Sequence, residues 1–88
     1  MNMTSEHVDA LNELRLEISA IDRDILGLLE ERMASAKVVG DIKKIYNKPF
    51  YVPEVEKKKI KELSAECRYP GLVEAIWPVI MCYTRTVE

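Results

Sequence analysis

Two cations stand where an apolar helical stripe ought to continue. Leu11, Leu14, Ile18, Ile21, Ile25 and Leu28 recur at alternating spacings of three and four, and further steps of three or four fall on Arg32, Ser35, Val39 and Lys43. Such a series marks one side of a helix. A cation on a buried face is costly unless an anion meets it, so Arg32 and Lys43 are candidate walls of an anion pocket. On a helix they are about 20° apart in rotation and roughly 16 Å apart in rise, with Val39 between them on nearly the same face. Arginine suits bidentate recognition of a carboxylate, and lysine presents a compact charge to a single oxygen. The same spacing also fits two side chains that snorkel to a polar rim or pair with Asp and Glu; spacing alone does not favour the pocket. Arg15 lies about 25 Å before Arg32 on a helix. It cannot serve that pocket from the same chain, but from an antiparallel partner it could reach it.

Three helices are expected to position these groups, with no strand pattern and no repeat. The first runs from about Asp9 to Tyr46 through strong helix formers, with Gly40 as a weak point. Asp9 or Ser5 is suited to cap its start, and Asn47-Lys48-Pro49 to end it, since proline disfavours helix in the residue before it. Pro53 fits a first helical turn, with Glu54 and Glu56 at the positive end of the helix dipole. This second helix reaches about Arg68, with Lys57, Lys58, Lys59 and Lys61 solvated and Ile60, Leu63 and Cys67 as its buried edge. Tyr69-Pro70-Gly71 reads as a turn. A third helix starts near Leu72, with Pro78 inside it, where a kink is expected. Trp77, Ile80, Met81 and Tyr83 have the bulk of core residues.

Length and composition narrow the function classes. The chain has 88 residues, 48% hydrophobic and 32% charged, with a net charge of −2. One domain, 1–88, is expected. The charge does not favour a nucleic acid or an anionic membrane as partner. The longest apolar run, Ala75 to Tyr83, is too short for a bilayer, and Met1 to Asp9 lacks the apolar core of a signal peptide, so a cytoplasmic protein is expected. Cys67, Cys82 and His7 have no metal-ligand spacing; no metal or other cofactor is expected, and the cysteines read as reduced and partly buried.

The first helix also argues for a partner. About 38 residues make a rod of roughly 57 Å, against a radius of gyration of about 12 Å for a compact chain of this size. Two shorter helices cannot cover such a stripe, so an obligate helical homodimer with a two-fold axis is expected. A break at Gly40 would instead give a four-helix monomer.

With these residues in view, a family resemblance emerges. Leu14-Arg15-Leu16-Glu17-Ile18-Ser19-Ala20-Ile21-Asp22, then Leu28-Leu29-Glu30-Glu31-Arg32, then Val39-Gly40-Asp41-Ile42-Lys43 resemble the all-helical (AroQ-type) chorismate mutases in register. Pro49 and Val52-Pro53-Glu54-Val55-Glu56-Lys57 resemble that family's loop and second-helix start. The resemblance covers about residues 11 to 88. It implies an intertwined dimer of three-helix chains with two equivalent active sites and the rearrangement of chorismate to prephenate. Arg32, and Arg15 from the other chain, would bind the two substrate carboxylates. Lys43 would bond the ether oxygen, Glu56 would take the ring hydroxyl, Thr84 would lie near a carboxylate, and Glu88 would be the second partner of the ether oxygen. Val39, Val52, Val55 and Met81 complete the lining that the resemblance implies. A pericyclic rearrangement needs no nucleophile, metal or proton transfer, only a held conformer and a cation facing the growing charge.

Four positions depart from the pattern, the Pro78 inside the third helix among them. Val52 stands for an Asp and Val55 for an Arg, which depletes the polar cluster beside Glu56. Glu88 stands for a Gln. An ionised carboxylate cannot donate to the ether oxygen, whereas a protonated one can, so activity is expected to rise as pH falls below neutral, unless Glu88 is frayed into water. Arg85 reads as a surface residue rather than a further substrate cation. The departures keep alternatives open: an isochorismate pyruvate-lyase-like enzyme, or a low-activity or non-catalytic domain that binds a metabolite or a protein. A plain helical dimerisation module fits less well, because it would favour leucine where Arg15, Arg32 and Lys43 stand.

Overall fold

The structure, a computed structural model, describes residues 4–88; residues 1–3 of the expected domain lie outside the described residues. Every regular element among the described residues is a helix. They are α1 (Ser5–Ile45), α2 (Pro53–Glu66) and α3 (Leu72–Val87), so the chain is all-α, as expected. Helix α1 continues through Gly40 instead of breaking there. Packing divides the chain into two compact units, one ending at Arg32 and one from Met33 to Glu88.

In the first unit the described residues from Ser5 on are all α1. The cap that begins it is Thr4, not Ser5 or Asp9: its Oγ1 accepts the His7 backbone N–H at 3.3 Å. Thr4 satisfies one of the amides that a helix start leaves without a partner. The apolar stripe is bare: Leu14, Ile18, Ile21, Ile25 and Leu28 are each between 48% and 63% exposed.

The second unit holds the last three turns of α1 and the α2–α3 pair. Helix α1 stops through a Schellman closure. The Lys48 N–H reaches the Lys43 carbonyl at 2.8 Å and the Asn47 N–H reaches that of Lys44 at 3.3 Å, while Asn47 takes the left-handed backbone at φ 54°. Asparagine is among the few residues that adopt this conformation readily. Pro49 therefore lies beyond a stop that Asn47 already makes. Helix α2 packs against α3. Ile60, Leu63 and Cys67 form its half-buried edge, and the four lysines are exposed. The Ser64 hydroxyl donates to Glu74 Oε1 at 2.5 Å, tying α2 to the start of α3, and holds the Glu74 carboxyl below its ordinary value of 4.5.

Ala36, Val73 and Met81 form the buried apolar core, and Trp77 and Ile80 are half-buried around it. Tyr83 and Cys82 are exposed, contrary to the expectation of burial. The helix turns about 100° per residue, so these two point away from the face that carries Met81. Helix α3 passes through Pro78 without ending.

Helix α2 starts without side-chain help. Its N-cap, Val52, has the extended backbone of a capping residue (φ −126°, ψ 93°), but its side chain makes no capping bond. Val52→Asp should stabilise the fold by about 1 kcal/mol, raising the thermal midpoint by about 4–8 °C at fixed protein concentration; an unchanged midpoint would show the helix start is already satisfied.

Candidate functional site

The second unit gathers most of the chemistry at the meeting of α1, the 46–52 loop and the end of α3. Lys43 is half-buried on the last turns of α1. Its Nζ donates to the Phe50 carbonyl at 3.2 Å and lies 3.6 Å from Glu88 Oε2. The Glu88 side chain is only 8% exposed, its backbone N–H closes α3 by donating to the Thr84 carbonyl, and its buried Oε2 has no hydrogen-bond partner. Glu88 is thus not frayed into water. Its carboxyl group faces the Lys43 ammonium, and that oxygen has acceptor capacity left over.

This arrangement depends on Gly40. A Cβ at that position would stand 2.6 Å from the Glu88 carbonyl oxygen and 2.7 Å from its Cα. Gly40 is the groove into which the end of α3 settles, three residues before Lys43. The covered line on this part of α1 is Met33, Ala36, Gly40 and Lys43; Ser35 and Val39, which the sequence series selects, are exposed. A strict three–four alternation averages 3.5 residues per turn and drifts against a 3.6-residue helix, so the intrachain seam lies one residue over from that alternation, on Lys43 rather than Ile42 at its last step.

A second polar cluster lies at the start of α2. Arg85 donates from Nη1 to Glu56 Oε2 at 2.5 Å, and its guanidinium carbon sits 4.4 Å from the Tyr51 ring centroid. The hydrogen bond to Glu56 pushes the Arg85 pKa further up. Arg85 is therefore not a plain surface residue. Its i+4 step from the buried Met81 and its i−3 step to Glu88 place all three on one helix face, a signal available in the sequence. On the same face Thr84 is half-buried, its hydroxyl donating to the Ile80 carbonyl at 2.7 Å and lying 3.8 Å from Met33 Sδ.

The remaining expected residues are placed less centrally. Val52 is half-buried at the α2 cap, and Val55 is exposed. Met81 is 5% exposed and belongs to the core. In the first unit Arg15 is exposed and Arg32 half-buried. Lys44 lies over the Phe50 ring at 5.9 Å, a second tie between α1 and the loop. Among the described residues no group of three or more His, Cys, Asp or Glu side chains converges as metal ligands would.

The family model for chorismate mutase type II matches residues 14–88, taking in both clusters and the whole of α2 and α3. The chain belongs to the chorismate mutase type II family. It is 47% identical over 62 residues to a bifunctional chorismate mutase/prephenate dehydratase of Aquifex aeolicus (strain VF5), a match covering 67% of this chain and 17% of that protein. It is 34% identical over 85 residues to a T-protein of Enterobacter agglomerans, covering 92% of this chain and 23% of that protein. A T-protein of Haemophilus influenzae is 31% identical over 65 residues, covering 74% and 17%. The chain thus spans less than a quarter of the length of these relatives. No match was found among solved structures.

Helix propensity favours alanine over glycine by about 1 kcal/mol inside a helix, so Gly40→Ala would ordinarily stabilise α1. Here the new Cβ must displace the Glu88 backbone. The expected result is no gain in thermal midpoint and a loss of the Lys43–Glu88 approach, checked by a melt and a crystal structure of the variant; a raised midpoint with Glu88 in place would contradict it.

Proposed function

We propose that this chain is a chorismate mutase that rearranges chorismate to prephenate. The observation that carries the reading is the half-buried Lys43 ammonium facing the Glu88 carboxyl group at 3.6 Å, in a chain of the chorismate mutase type II family. In the reaction the ether C–O bond breaks as a new C–C bond forms, within one molecule and with no proton transferred. The protein must hold the folded-over conformer and oppose the negative charge that grows on the ether oxygen. Lys43 supplies the opposing cation. A protonated Glu88 donates to the same oxygen, whereas an ionised one repels it. Glu56 accepts from the ring hydroxyl through the oxygen that Arg85 leaves open.

Arg32 and Arg15 are assigned to the two carboxylates, with Arg15 supplied by a second copy of the chain. Val39, Val52, Val55, Met81 and Thr84 are assigned to the lining. The bare stripe from Leu14 to Leu28 supports a homodimer, because apolar area of this extent gains about 25 cal/mol per Å² on being covered. Free Cys67 and Cys82 suit a reducing compartment, in keeping with a cytoplasmic location.

The direct test is a chorismate-depletion assay. Prephenate should form, and Lys43→Ala should reduce kcat/KM by about a hundredfold or more. Pyruvate in place of prephenate would move the reaction to the lyase alternative, and full activity in Lys43→Ala would overturn the mechanism.

The trans assignment of Arg15 has its own check. Arg15→Ala and Arg32→Ala should each be inactive alone. After unfolding and refolding as an equal mixture, half the dimers are mixed, each with one intact site, so about a quarter of wild-type activity should return. No recovery would sink the shared-site dimer.

A further inference from the structure

Three segments converge on one planar cation that the reaction just described leaves unused. The loop supplies the Tyr51 ring, α2 supplies the Glu56 carboxylate and α3 supplies the Arg85 guanidinium. The pair is half-buried, with the Arg85 and Glu56 side chains 32% and 26% exposed. A guanidinium with a ring on its face and a carboxylate at its edge has little rotamer freedom left. The carboxylate it holds is fixed in turn.

Helix α2 does not do this orienting itself. Val52, one turn before Glu56, and Val55, next to it, carry no hydrogen-bonding side chain. A glutamate on a half-exposed first turn would otherwise sample several rotamers. An ionised carboxylate has about four acceptor positions over two oxygens. Arg85 engages Oε2, which leaves Oε1 turned to whatever donor a ligand brings.

We propose that Arg85 is a positioning residue that acts through Glu56, fixing its free oxygen to accept a ring hydroxyl and so setting preference for a ring that carries one. This rests on the chorismate mutase reading above. The guanidinium reaches Glu56 across the helix pair, so the selectivity of the α2 end of the site is set by a residue of α3. A guanidinium that instead touched the substrate directly would act whether or not Glu56 could pair with it.

The test is a double-mutant cycle on the full chain, with steady-state chorismate kinetics for wild type, Arg85→Gln, Glu56→Gln and the double variant. Arg85→Lys is added to keep the charge without the planar fork. Arg85→Gln should lower kcat/KM by about tenfold, the scale of a hydrogen bond to a charged group, mainly through KM. In the Glu56→Gln background the same change should cost less than about twofold, because the partner it acts through is gone. Arg85→Lys should recover part of the loss. It also serves as the probe in both backgrounds if Arg85→Gln does not give a cooperative melt. Equal losses in the two backgrounds would overturn the proposal in favour of direct substrate contact. An active wild type matched by both Arg85 variants would overturn it outright. A wild type inert towards chorismate would instead overturn the functional reading, and this assignment with it.

Discussion

The approach of the end of α3 to Gly40 is the constraint on which the polar site depends. A helix backbone comes this close to another segment only where no Cβ intervenes, and here the would-be Cβ lies within 3 Å of three Glu88 atoms. Because Lys43 lies three residues further along α1, on the same face, the contact that seats Glu88 also sets its distance from the ammonium. Thr84 and Arg85, one turn back on α3, are carried into place by the same seating. A single glycine thereby orders groups that come from opposite ends of the second unit.

The two units differ in what holds them. From Met33 onward, the chain has its own small core of Ala36, Val73 and Met81, a Ser64–Glu74 tie and a Glu56–Arg85 pair. Up to Arg32 the helix has good capping at Thr4 and favourable propensity, but isolated helices in water are marginal even when propensity is high. Its order has to come from covering Leu14, Ile18, Ile21, Ile25 and Leu28. In the proposed homodimer a second copy supplies that cover, and association and folding of this part are then one equilibrium that depends on protomer concentration.

Much of this was legible in the sequence, and the parts that were not share a cause. Helix type and extent came through because periodicity, Pro53 and the Tyr69-Pro70-Gly71 turn are local signals. The ends were misjudged where a less obvious residue did the work: Thr4 instead of Asp9 or Ser5, and Asn47 ahead of Pro49. Lys43 stands out in the sequence because a cation interrupts an apolar series. The seam beside it was missed because Ala36 and Gly40 are small and break no pattern. A charge at the end of a helix is usually solvated, and the Arg85 pairing with Glu56 spans 29 residues, which no local pattern encodes. Val52 and Val55 looked like losses when α2 was read alone, and with α3 alongside, part of the missing polarity is restored from across the pair.

Lys43 has one further property. Its ammonium already serves the Phe50 carbonyl and faces Glu88, so an incoming anion does not meet an idle charge. It competes with the loop for the same three N–H donors. Phe50 and Tyr51 are adjacent, and Tyr51 floors the Arg85 guanidinium. The Lys43 ammonium thus holds one end of a dipeptide whose other end braces the second cluster. The two clusters therefore meet at adjacent residues of the loop, joined by a single peptide unit.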